Sequence, residues 1–167
     1  MPIWFALLAA FCLMVAASDF RTRRIRNKLL FIALVVHSTW LLAASGGLFS
    51  VAAPFPSWRE AATGFVVGLV VFYPLWRWNA MGAADVKLIA TLGFILGVRG
   101  LLPTLLLASL AAGVHVVLLV WQGRWRQMRQ QWQQGPGARR GLPYGGYLAL
   151  AGVGWALWTG WQAYEYG

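Results

Sequence analysis

Apolar residues along this chain gather into long runs rather than the every-other-residue alternation of a half-buried strand. The runs lie at about Ile3 to Ala17, Leu29 to Ala44, Ala61 to Trp76, Val86 to Val98, Leu101 to Trp121 and Leu142 to Trp161. Charged, Pro-rich or Gly-rich stretches separate them. A helix needs about 20 residues to cross about 30 Å of hydrocarbon, and most of these runs reach or approach that length. A membrane β-barrel of this size would instead show many alternating segments of about ten residues. The pattern predicts an all-α, polytopic integral membrane bundle of about six transmembrane helices, with residues 1–167 forming a single membrane-embedded domain.

Composition agrees, since 60% of the residues are hydrophobic and 11% are charged. So few charges cannot cover a water-facing globule, whose charged share is about 25%. The net charge of +10 does not imply nucleic acid, because the basic residues fall in short clusters between apolar runs instead of along one solvated face. Membrane topology and anionic lipid headgroups account for them. Cys12, the single cysteine, rules out an intrachain disulfide and a cysteine-based zinc cluster and reads as a small core hydrophobe. The first run has no Lys or Arg before it, unlike a cleaved signal peptide, and is predicted to stay as a span.

Lys and Arg also set the expected orientation. Arg21, Arg23, Arg24, Arg26 and Lys28 follow the first run; Arg77 and Lys87 flank the break between the third and fourth; Arg124, Arg126, Arg129, Arg139 and Arg140 follow the fifth. If every run crosses, all of these lie on one side, and only Arg59 and Arg99 lie on the other. The rich side is then cytoplasmic and both termini are outside it. Val86 to Val98 is short, about 20 Å of helix, yet without it the last basic cluster would fall on the wrong side. In that cluster the stretch WRQMRQQWQQ reads either as a short interfacial amphipathic helix or as a solvated basic loop. Gly64 and Gly68 form a small-xxx-small pair of the kind that packs helices closely.

The acidic residues are Asp19, Glu60, Asp85 and Glu165. Glu60 and Glu165 fall toward the outer side. Asp19 ends the first run and Asp85 opens the fourth, so both are expected at the cytoplasmic boundary. Ionisable groups next to hydrocarbon are costly and are kept for a function or a partner. Two carboxyl groups brought together do not both ionise readily, which suits one to activate a water and the other to polarise a carbonyl. The residues alone leave a structural alternative open: Asp19 paired with Arg21 or Arg23, and Asp85 capping its helix. A helix N-terminus favours the charged form of Asp85, whereas a C-terminus disfavours that of Asp19.

The surroundings of the acids add a resemblance. Gly82, Ala83, Ala84, Asp85, Val86, Lys87 and Leu88 resemble the GxGDVKL form of the GxGD signature in type IV prepilin peptidases. Asp19, followed by a basic stretch and Asn27, is similar to the other acidic position of that family, where Ile-Pro-Asn closes the pattern. Pro143, Tyr144 and Gly145, after Leu142, resemble its Pro-Tyr-Gly motif. The short chain without a cysteine-rich segment resembles the compact tight-adherence branch, so N-methylation is not expected. Two departures stand out: Ala84 holds the second glycine position of the signature, and Arg26 replaces the proline before Asn27. An alanine fits there without strain if its φ is negative.

The resemblance implies a membrane aspartyl endopeptidase that cleaves the leader of type IV or Flp-like prepilins. It would act at the cytoplasmic face of the bacterial inner membrane, with Asp19 and Asp85 catalytic, and with Gly82, Ala84, Lys87, Asn27, Pro143, Tyr144 and Gly145 in support. Its partner is a prepilin with a basic leader and an apolar helix, besides membrane lipids; no cofactor, metal or nucleic acid is expected. Two other classes compete: an inactive homologue serving as a scaffold in pilus assembly, and a small ion-coupled transporter using the same acids. Lys87 either tunes Asp85 or snorkels to the headgroups. His37 and His115, in mid-run, read as neutral histidines bonded to a neighbouring helix rather than as metal ligands.

Overall fold

A computed structural model describes residues 2–22, 25–45, 56–123 and 144–165. All regular structure among the described residues is helical: α1 (Pro2–Thr22), α2 (Asn27–Ser45), α3 (Trp58–Arg77), α4 (Ala83–Trp121) and α5 (Tyr144–Glu165). Three of these, α1, α2 and α4, are long and apolar enough to cross a membrane. The outer surface is apolar as well, with Phe31 68%, Val70 62%, Leu106 65% and Leu110 65% exposed. Side chains of that kind in contiguous array need hydrocarbon against them, not water. The described residues are those of an α-helical membrane protein.

Local sequence explains where the helices begin and end. α3 starts with a capping box, in which Ser57 accepts from the Glu60 N–H and the Glu60 side chain accepts from the Ser57 N–H. It ends in a Schellman turn, the N–H of Ala80 bonding to the carbonyl of Leu75 and that of Asn79 to Trp76. Asn79 takes the left-handed conformation there, at φ 58°, which Asn tolerates better than most residues. Gly82 then leads into α4 in extended geometry.

The expected break between the fourth and fifth runs, at Arg99 and Gly100, lies instead at Gly97. The backbone of Gly97 has φ 66° and ψ 176°, a conformation open essentially to glycine alone. Contacts along α5 show that the two arms of α4 run in opposite directions. Leu92 in the first arm lies beside Gly152 and Gly100 beside Trp155, whereas Ser109 in the second arm bonds back to Tyr144. The short fourth run thus leads away from one end of the bundle and the fifth returns toward it.

α3 packs against the first arm of α4 through the small residues picked out in the sequence. A Cβ on Gly64 would collide with the backbone of Gly93, and one on Gly68 would sit 3.0 Å from Ala90 Cα. α1 packs on α5 in antiparallel fashion, Gly160 against Phe5, Gly152 against Cys12 and Gly146 against Phe20. The core between them holds Val15, Leu88, Ile89, Leu92, Leu101 and Leu148, all fully buried. Cys12 is a buried free thiol in that core, as its place in an apolar run suggests.

Candidate active site

Three helix termini converge at one end of the bundle. Asp19 lies in the last turn of α1, Asp85 in the first turn of α4, and Gly145 and Gly146 in the first turn of α5. Asp19 is buried at 6% exposure, and its Oδ2 accepts a 2.7 Å hydrogen bond from the Gly146 N–H. The backbone of Gly145 lies beside the carboxylate of Asp85. A Cβ placed on Gly145 would lie 3.1 Å from Asp85 Oδ1 and 3.3 Å from Asp19 Oδ2. The two oxygens are therefore no farther apart than the sum of those lengths, with the glycine between them.

Each neighbouring glycine has a spatial reason to lack a side chain. A Cβ on Gly145 would also press to 2.7 Å on Ile25 Cδ1, and one on Gly146 to 2.8 Å on the Phe20 ring. A Cβ on Gly82 would come within 3.0 Å of Asp85 Oδ2, because Asp85 folds back over the turn that precedes its helix. Ala84 sits inside that first turn, and Asn79 is the only non-glycine with positive φ among the described residues. The extra methyl group at the signature's second position therefore imposes no backbone strain.

The remaining residues singled out in the sequence are less central. Tyr144 is half-buried and its hydroxyl pairs with Ser109 Oγ at 3.2 Å, tying the start of α5 to the second arm of α4. Lys87 is exposed and makes no ion pair with Asp85 among the described residues. Asn27 opens α2 on the surface beside Lys28 and Phe31. Arg26, also exposed, precedes it, and its carbonyl accepts from the Leu29 N–H at 3.0 Å. Leu142, Pro143 and the WRQMRQQWQQ stretch lie outside the described residues.

The alternative pairing for Asp19 has no support from Arg21, which is exposed and forms no ion pair among the described residues; Arg23 lies outside them. The helix ends do not mark Asp85 as the more readily charged partner, because the N-terminus of α5 also faces Asp19 and donates an N–H to it. Both acids stand at a helix N-terminus, so that argument does not rank them. Gly146, the donor, was not among the expected site residues. Its signal was the doubled glycine opening a helix, a local cost of about 1 kcal/mol per residue that marks close approach.

Among the described residues no group of three or more His, Cys, Asp or Glu is placed to hold a metal ion. His37 is buried, and its Nδ1 accepts from Trp4 Nε1 at 3.3 Å, so it is bonded to a neighbouring helix. The His115 ring lies tilted against that of Tyr147, centroids 5.8 Å apart.

Residues 6–117, more than half of the chain, match the model of the type IV leader peptidase family. The chain belongs to that family. The match covers most of α1, all of α2 and α3 and most of α4, and so takes in both Asp19 and Asp85; α5 lies beyond it. No curated protein and no solved structure matches the chain. Membership in the type IV leader peptidase family makes this a prepilin-type peptidase in general terms, and the arrangement at the acid end is compatible with peptide hydrolysis.

Proposed function

We propose that this leader peptidase is an aspartyl endopeptidase that removes the leader of type IV or Flp-like prepilins, with Asp19 and Asp85 as its dyad. The observation that carries the reading is the pair of carboxyl groups on either side of Gly145. In the reaction one carboxylate takes a proton from a water held between the acids, and the water oxygen bonds to the scissile carbonyl carbon. The other acid, still protonated, donates to the carbonyl oxygen as it becomes negative. Collapse of the tetrahedral intermediate breaks the C–N bond, and the leaving nitrogen takes up a proton from the dyad. The Gly146 N–H holds Asp19 in place for this exchange, with Gly145 packed beside both acids. No cofactor or metal takes part in the scheme.

The alternating direction of successive segments, with the reversal at Gly97, supports six crossings and a multi-pass protein of the bacterial inner membrane. With both termini outside, the acid end lies at the cytoplasmic face, where the basic clusters also gather. Negative φ at Ala84 supports an active enzyme over an inactive scaffold. Acids at the ends of helices, rather than in mid-span, speak against an ion carrier. Substituting Asp19→Asn or Asp85→Asn and following leader removal from a co-expressed prepilin tests the dyad. Each change is expected to lower cleavage by roughly a hundred- to ten-thousandfold; unaltered processing in either variant rejects it.

A further inference from the structure

From Arg21 to Lys28, where α1 gives way to α2, the chain reads Arg-Thr-Arg-Arg-Ile-Arg-Asn-Lys, with Ile25 the one apolar residue in the stretch. A single apolar side chain in such a connection has no need to be covered. Ile25 is nevertheless buried, at 8% exposure, whereas Arg21 and Arg26 are exposed. Anchoring the connection accounts for the burial but not for the place where the side chain ends. Its Cδ1 lies 2.7 Å from the point that a Cβ on Gly145 would occupy, and that same point is 3.1 Å from Asp85 Oδ1 and 3.3 Å from Asp19 Oδ2. The terminal methyl group is therefore no farther from either carboxyl oxygen than the two lengths together, about 6 Å.

That distance brings Ile25 within reach of a bound peptide. A water shared by the acids stands about 3 Å from their oxygens, and the carbonyl carbon that it attacks lies about 3 to 3.5 Å from the water. On the acyl side of the cut the Cα is bonded directly to that carbon, whereas on the leaving side the nitrogen intervenes. The acyl-side Cβ is thus the side-chain atom brought closest to the acids and to the methyl group beside them. Space there is short, since Gly145 itself has no room for a Cβ between Ile25 and the carboxyl groups. Nor does Ile25 yield easily: a β-branched side chain is restricted in χ1, and a buried one has little room to turn.

We infer that Ile25 is a specificity-determining residue, whose terminal methyl group limits the size of the side chain on the acyl side of the cut. The inference rests on the dyad reading of Asp19 and Asp85 and names a residue that decides what the dyad admits. The test uses two precursor reporters, alike except for Gly or Ala just before the cut, with the enzyme in proteoliposomes. Wild type is expected to cleave the Ala reporter with kcat/KM about ten- to two-hundredfold below the Gly reporter, the range that one carbon commands in a closed pocket. Ile25→Val removes Cδ1 alone and keeps the β-branch. It should raise the Ala-to-Gly ratio about tenfold, and Ile25→Ala at least as much. Both reporters meet the same enzyme, so a loss of folded protein scales both rates and leaves their ratio unmoved. Equal cleavage of the two by wild type overturns the inference. So does a ratio that neither variant changes, or a relaxation confined to the residue after the cut.

A second measurement does not depend on cleavage. Cys12 is the single cysteine, so Cys12→Ala combined with Ile25→Cys leaves one thiol, beside the acids, and Asp85→Asn is added to hold the substrate uncut. Reporters carrying one Cys at each position from about three before to three after the cut are oxidised against it; a disulfide forms where the two Cβ atoms come within about 4 Å. An adduct strongest at the residue before the cut supports the contact even if wild type cleaves no reporter, in which case it is the peptidase reading that fails. Adducts that are absent, even along the series or confined to other positions overturn the role of Ile25 and leave the dyad untouched.

Discussion

α1 meets its two neighbours in opposite ways. Against α5 it forms a seam of glycines that narrows toward the acid end. A Cβ added at Gly160 would lie 3.6 Å from Phe5, at Gly152 3.3 Å from Cys12 Sγ, and at Gly146 2.8 Å from Phe20. Against α2 it leaves a cleft and is bridged by the Trp4 to His37 hydrogen bond. A packed interior resists the addition of even one methylene, whereas an open cleft does not. The closed seam fixes where Asp19 stands; the open one leaves part of α1 uncovered by its neighbour.

The sharpest way to break this contrast is Gly145→Val, which puts carbon among Ile25, Asp85 and Asp19. Leader cleavage is expected to fall by about a hundredfold or more, since displacements of about 1 Å at reacting groups have that effect. Circular dichroism of the purified protein should remain helical. Farther up the same seam, Gly152→Val presses on Cys12 and Leu92 and should destabilise the fold by about 1–3 kcal/mol, read from thermal unfolding in detergent. On the open side, Trp4→Phe keeps an aromatic ring but removes the donor to His37. It should cost about 1 kcal/mol in the same assay, and a larger loss than at Gly152 would mean that the two seams had been ranked wrongly. Smallest of all is Ala84→Gly, away from both seams. Because Ala84 is already unstrained, cleavage should change less than about threefold and stability by no more than about 1 kcal/mol; a large gain in cleavage would show that the methyl group obstructs the acids.

Much of the helical framework was legible in the sequence because lipid-facing and core-facing residues are both apolar, so each helix appears as one run. Boundaries were read less well where they depend on local hydrogen bonds. α3 begins at Trp58, ahead of the run at Ala61, because Ser57 and Glu60 cap it. The turn expected at Arg99 and Gly100 lies at Gly97, and composition does not distinguish these glycines or Gly93. Packing does, since Gly93 is closed against Gly64 and Gly100 against Trp155, while Gly97 takes the left-handed backbone. For the acids, sequence supplied the two residues and the end of the bundle where they belong. It held no distance between them, and the N–H from Gly146 arises from a helix that is remote in the chain.

That remoteness has a consequence for synthesis. Asp19 and the amide that binds it are separated by 127 positions, and α5 is the last described helix to leave the ribosome. A nascent chain that ends before Tyr144 already possesses both acids but not the clamp that holds them. In the proposed dyad, the position of Asp19 is therefore set only once α5 has been inserted beside α1.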